Sequence, residues 1–143
     1  MKALRGEAGF SLIEVLVVLL IIGLISTVVV INVLPALDNS RKDKARIDVQ
    51  TLSAALEQYK LDNYNYPRTA DGLNALVAPP ADLARPDRYR QGGYIPKLPL
   101  DPWGNPYQYA FPGRNGLFDV YSFGADGAPG GEGQNADIGS WQP

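Results

Sequence analysis

The residues of this 143-residue chain whose types could do chemistry are few, and nearly all are oxygens. One is Glu14, a single carboxylate near the front of an apolar run from Gly9 to Leu34. A charged side chain at the centre of a lipid-spanning helix costs about 2.5–3.5 kcal/mol on insertion scales, so this acid calls for a partner of opposite charge. The other group lies between Gly124 and Trp141, where Asp126, Glu132, Asn135, Asp137 and Ser140 are interleaved with six glycines. Glycine lets a backbone turn its carbonyls inward, and hard oxygen ligands suit Ca²⁺. The spacing is not that of an EF-hand, which places acids at alternate positions and closes on a glutamate. On spacing alone, a cation site and a solvated acidic loop both stand. The chain has no histidine and no cysteine. That removes Ser-His-Asp and Cys-His catalysis, imidazole and thiolate metal sites, and disulfides.

The elements that must position these groups can be read from composition and periodicity. Charged residues make up 20% of the chain and the formal net charge is -2, so no basic excess points to nucleic acid. The length suits one modest globular domain plus an anchor. Lys2, Arg5 and Glu7 form a short polar leader that resembles the front of a secretory signal. The apolar run behind it argues against ordinary removal, because no small-x-small site comes after Val15–Ile31. With Leu12, Ile13, Val33 and Leu34 that run spans about 30 Å of hydrocarbon. A bitopic anchor is the plain reading. Lys2 and Arg5 favour a cytoplasmic N-terminus, while Arg41, Lys42, Lys44 and Arg46 cluster past the other end.

Pro35 is expected to end or kink the first helical segment. Beyond it, Ala45, Val49, Leu52, Leu56 and Tyr59 recur at helical spacing, with Arg46, Asp48, Gln50, Ser53, Glu57 and Lys60 on the other face. The pattern fits a long helix that is apolar at first and amphipathic later. Asp62 to Pro67 breaks it. Thr69 is predicted to cap a short helix through Val77, with Asp71 in its first turn. Pro79, Pro80 and Pro86 make an irregular loop closed by Gly92-Gly93. Tyr107, Tyr109 and Phe111 alternate with Gln108 and Ala110. After a Pro-Gly-Arg-Asn-Gly turn, a second strand runs from Leu117 to Phe123, and the two together predict a β-hairpin. Phe118, Val120 and Ser122 share one of its faces. The fold class is α+β: a long N-terminal helix packed on a small antiparallel sheet, with a C-terminal loop. The divisions are a leader (1–9), an apolar helix (10–34), an amphipathic helical half (35–62) and a globular domain (63–143).

At Gly9-Phe10-Ser11-Leu12-Ile13-Glu14 the sequence resembles the type IV pilin class of prepilin-like proteins. The second half narrows this. Tyr66-Pro67, Gly92-Gly93-Tyr94-Ile95, Asp101-Pro102-Trp103-Gly104 and Asp119 through Gly127, with Asp137-Ile138-Gly139-Ser140-Trp141, are similar to the major pseudopilin family of the type II secretion system, protein G. The resemblance implies a type IV pilin-like fold and cleavage between Gly9 and Phe10 by a prepilin peptidase, with N-methylation of Phe10. It also implies pairing of Glu14 with the Phe10 amine of a neighbouring copy. It further implies a structural Ca²⁺ in the C-terminal loop, with Asp126 and Asp137 as side-chain ligands and the Phe123 carbonyl beside them.

The function so implied is that of a non-enzymatic filament subunit. Such a chain is a single-pass protein of the bacterial inner membrane whose domain faces the periplasm. It polymerises with itself into a short filament that helps export folded proteins through the outer membrane. Its partners would be the peptidase, minor pseudopilins, the inner-membrane assembly platform and lipid, with no nucleic acid. The driving ATPase is a separate protein, since this chain has no Gly-rich phosphate loop. Two positions depart from the family pattern. Many relatives carry a proline within the membrane helix where this chain has none before Pro35. Some carry two consecutive acids where Ala136-Asp137 stands, so a carbonyl, Glu132 or water would have to supply the missing ligand. A surface-fibre pilin is the rival within the assembly class. An anchored calcium-dependent module using Trp103, Tyr107 and Tyr109 as a sugar platform is the rival outside it, although aromatics at alternate strand positions are usually core. For an enzyme, Asp119 and Asp126 are present without a base or nucleophile to complete a site.

Overall fold

The structure, a computed structural model, describes residues 8–143 apart from the side chain at position 32. The polar leader residues Lys2, Arg5 and Glu7 therefore lie outside the described residues. A single helix, α1, runs from Leu12 to Asn63. The chain divides into two compact units between Leu37 and Asp38, and α1 contributes to each. The sequence predicts an end or a kink at Pro35, but helical backbone continues on both sides of it without interruption. Proline removes one backbone donor, a cost of about 3 kcal/mol in a helix interior, while every other residue added extends the hydrogen-bonded ladder. Long helical sequence on both flanks outweighs one lost bond.

The first unit is apolar helix surface. The side chains of its most apolar 18-residue window are unburied. Among the described residues this is the one helix long and apolar enough to cross a membrane. Ser26 and Thr27 sit inside it without breaking it, because their hydroxyls donate to the carbonyls of Ile22 (2.7 Å) and Gly23 (2.9 Å). A polar group that bonds its own helix in this way leaves no donor facing hydrocarbon.

The second unit, Asp38–Pro143, holds the core. The predicted helical face is the buried one: Ala45, Val49, Leu52, Leu56 and Tyr59 are all 3% exposed or less. Val49, Leu52, Leu56 and Tyr59 pack with Tyr66, Leu73, Leu76, Ile95, Tyr107 and Val120. Strands β1 (Gln108–Ala110), β2 (Asp119–Ser122) and β3 (Ile138–Gly139) form an antiparallel sheet in sequence order. Tyr109 pairs with Val120, and Ser122 pairs with Ile138. The hairpin is shorter than its alternation predicts. The Asp119 carboxylate gathers the amides of Arg114 (2.8 Å) and Asn115, and Gly113 donates to the Leu117 carbonyl, so 113–117 forms a tight turn and Leu117 is exposed. Strand β3 is too short to leave a periodic signal.

Thr69 does not cap a helix. Its hydroxyl donates to the Phe111 carbonyl and accepts the Phe111 amide, both at 2.9 Å, and so ties this segment to the end of β1. The short helix expected here is a 3-10 helix, Gly72–Leu76, that buries Leu73, Ala75 and Leu76. Asp71 precedes it rather than lying in its first turn, and its carboxylate is engaged by Arg68, which holds it below the usual carboxylate range.

Candidate functional site

Two sets of candidate residues fall in the two units. In the first, Gly9 and Phe10 precede α1, and Phe10 is 84% exposed. Among the described residues, a side chain at Gly9 would meet nothing within 4 Å, so none of them shields the Gly9–Phe10 bond on that side. Glu14 lies in the first turn of α1 and shares with Phe10, Val15, Val18 and Leu19 a groove of about 240 Å³. Its amide donates to Ser11 Oγ (3.2 Å), and the Ser11 amide donates to Glu14 Oε2 (3.3 Å). This is a reciprocal N-terminal cap. The sequence reading does not single out Ser11, although the Ser-x-x-Glu spacing ahead of an apolar run is the signal that finds it.

In the second unit, β2 leads through Phe123 into a loop that returns as β3. Asp137 Oδ2 accepts the Gly130 amide at 3.0 Å, while its Oδ1 is buried with no hydrogen-bond partner. Phe123 and Asp137 line one cleft of about 400 Å³ together with Tyr121 and Trp141. Asp126 is exposed, is not on that cleft's wall, and accepts the Ala128 amide at 3.2 Å. The backbone oxygens crowd elsewhere. Gly124 has φ +74°, and the carbonyls of Gln134 and Ala136 lie 2.8 Å from where its Cβ would stand. Only glycine admits that approach. Ala125 then donates to the Gln134 carbonyl (2.9 Å), and the Gln134 side chain reaches Asp38 on α1. Among the described residues no three acidic side chains cluster, so any cation held here needs backbone carbonyls.

A buried carboxylate that no sequence motif marks as a site supports this loop from below. Asp101, 4% exposed, accepts the amides of Trp103 (3.1 Å) and Asn105 (2.8 Å) and the hydroxyl of Ser122 (2.6 Å). Ser122 Oγ in turn accepts the Gly124 amide at 3.1 Å. An aspartate starting a Pro-x-Gly turn is the local signal for the first half of this network. The Ser122 half depends on tertiary contact and leaves no sequence mark.

Two of the three aromatics of the suggested sugar platform, Tyr107 and Tyr109, are tied into the core. Tyr107 is 7% exposed and donates to Asp48 (2.7 Å), and Tyr109 packs on the core and donates to the Pro67 carbonyl (2.7 Å). Burial, with the Asp48 carboxylate beside it, pushes the Tyr107 phenol well above its usual range, and burial raises Tyr109 likewise. Burial and the hydrogen bond to Glu57 push Tyr66 up to about 12. These phenols keep protons in the folded chain that the unfolded chain loses near pH 10, so the stability they contribute is present below that pH and is lost above it. Thermal denaturation of the Asp38–Pro143 unit should therefore show no tyrosine-linked change between pH 7 and 9. Above pH 10 its stability should fall, by about 1.4 kcal/mol per pH unit for each tyrosine so held. A melting temperature that stays level to pH 11.5 would contradict this.

A family model for the type II secretion system, protein G, matches residues 32–141, and one for the prokaryotic N-terminal methylation motif matches residues 4–30. The type II secretion system core protein G of Vibrio cholerae serotype O1 is 50% identical, over 99% of this chain and 96% of its own length. That of Pseudomonas aeruginosa is 48% identical, over 96% of each. The crystal structure of the major pseudopilin from the type 2 secretion system of enterohaemorrhagic Escherichia coli is 43% identical. It matches with a TM-score of 0.67, over 77% of this chain and 94% of that one.

Proposed function

The chain belongs to the type II secretion system protein G family, and we propose that it is the major structural subunit of that system's pseudopilus. The observation that carries this reading is full-length similarity combined with an apolar helix that finds no cover within its own unit. Such a helix has two ways to remove its surface from water, lipid and other copies of itself. The subunit uses them in turn. It waits in the inner membrane with its domain in the periplasm, and a prepilin peptidase cuts at Gly9–Phe10 and methylates the new amine on Phe10. The helix then leaves lipid for a bundle of identical helices. Glu14 meets the Phe10 amine of a neighbour there, and the opposite charge offsets its desolvation. Repetition of one head-to-tail contact builds an open helical filament. Minor pseudopilins and the inner-membrane platform start and drive it, and its growth helps move folded proteins through the outer membrane.

The C-terminal loop is proposed to hold a structural Ca²⁺ through Asp126, Asp137 and the Phe123 carbonyl. The unpaired, buried Oδ1 of Asp137 supports this, as does a loop whose glycines admit carbonyl oxygens. Ala136 offers no side-chain ligand, so the carbonyls carry more of the coordination. The cation would supply charge compensation and loop order, and no chemistry.

Electron microscopy of cells overproducing the full chain with its secretion apparatus tests the assembly role. The expected result is filaments containing this chain, and in a deletion strain the exported proteins accumulate in the periplasm. Normal export in the deletion strain would overturn the reading.

A further inference from the structure

We propose that Ser11 is the positioning residue for Glu14, holding its carboxylate at the start of α1 before a neighbouring amine arrives. The inference rests on the assembly role given to Glu14 above. The two residues stand at N-cap and third-helical-position spacing, and both reciprocal bonds are made, at 3.2 and 3.3 Å. Both lie on the C-terminal side of the Gly9–Phe10 bond, so the cap survives removal of the leader. It uses one carboxylate oxygen. Oε1 of Glu14 has no hydrogen-bond partner among the described residues and is left for an incoming donor. In a medium without water the cap also satisfies two backbone amides that no helical carbonyl reaches. A glutamate side chain ordered in advance removes part of the ordering cost from the encounter with the amine. Glu14 lines an open groove with Phe10, Val15, Val18 and Leu19, so its carboxylate is reachable from outside the helix.

The test compares Ser11→Ala and Ser11→Thr in the full processed chain. Hydrogen exchange of the Glu14 amide is read in micelles, and filament yield is read in cells at matched membrane levels and leader removal. Loss of an N-cap hydroxyl should speed Glu14 amide exchange roughly 2- to 30-fold in Ser11→Ala. Filament yield should fall with it, and Ser11→Thr should restore both. Exchange at the parental rate in Ser11→Ala, or filaments at the parental level, overturns the proposal, as does failure of Ser11→Thr to restore them. Absence of filaments from the parental chain would instead remove the assembly reading, and the positioning role with it, while the exchange rates still report the cap.

Discussion

Glu14→Ala stops filament growth while the chain still enters the membrane and loses its leader. Insertion does not suffer, because removing an acid from an apolar helix makes transfer into lipid easier. Cleavage depends on the Gly9–Phe10 bond, which lies four residues ahead of the altered side chain and is not covered by it. Assembly is different. Each contact in the bundle would bury a Phe10 ammonium with nothing opposite it, and removing one partner of a buried pair costs about 3–5 kcal/mol. At about 1.4 kcal/mol per tenfold, that is roughly two to three and a half orders of magnitude in affinity at every contact. A filament repeats the penalty with each subunit. Glu14→Gln separates charge from capping, since glutamine also closes the Ser-x-x-Glu/Gln box with Ser11. We expect it to keep the amide protection of the first turn and yet to assemble poorly. Microscopy for filaments, with immunoblots for membrane level and processing, reads both variants. Filaments at the parental level from Glu14→Ala would remove the pairing role outright.

The parts of this molecule that repeat with a helical or strand period are legible in its sequence, and the parts held by single contacts are not. Ala45, Val49, Leu52, Leu56 and Tyr59 mark one face because five residues reinforce one phase, and all five are buried. Glu14 is visible because it is the lone acid in an apolar run. Thr69 misleads for a physical reason. A threonine before a short helical pattern has the chemistry of a cap, but its one hydroxyl is taken by Phe111, 42 residues away. Pro35 misleads because its cost is local, whereas the helix that outweighs it extends far on both sides. Ile138–Gly139 is a strand because Ser122 and Tyr121 pair with it, and two residues carry no period. The Asp101–Ser122–Gly124 chain of hydrogen bonds lies at the base of the C-terminal loop and is written only in the fold. In the candidate sites, residue types are legible but partners are not. The oxygens between Gly124 and Trp141 are plain in the sequence, but which of them lacks a partner is not.

That unpaired oxygen leads to the second large effect: chelation should lower the melting temperature of the Asp38–Pro143 unit. The loop from Gly124 to Asp137 has little apolar surface to hold it. Among its described residues order comes from a few bonds, such as Ala125 to Gln134, Asn135 to Glu132 and Gly130 to Asp137. A buried carboxylate oxygen without a partner is destabilising by itself, and a bound cation reverses that. Binding to the folded state alone at a hundredfold excess over Kd stabilises it by about 2.7 kcal/mol. In a domain of about a hundred residues each kcal/mol moves Tm by roughly 4–8 °C, so the expected drop on adding excess chelator is on the order of ten degrees. Asp137→Ala should melt near the chelated value in either condition. Asp126→Ala should weaken the response to Ca²⁺ less, because Asp126 is exposed and already engaged by Ala128. Ala136→Asp adds a carboxylate beside Asp137 and should tighten Ca²⁺ binding, since affinity in oxygen sites tracks ligand charge. A thermal scan of the metal-free domain that does not move on adding Ca²⁺ would remove the cation from the loop. Asp137 Oδ1 would then stand as an unpaired buried oxygen, and replacing Asp137 by asparagine would stabilise the fold.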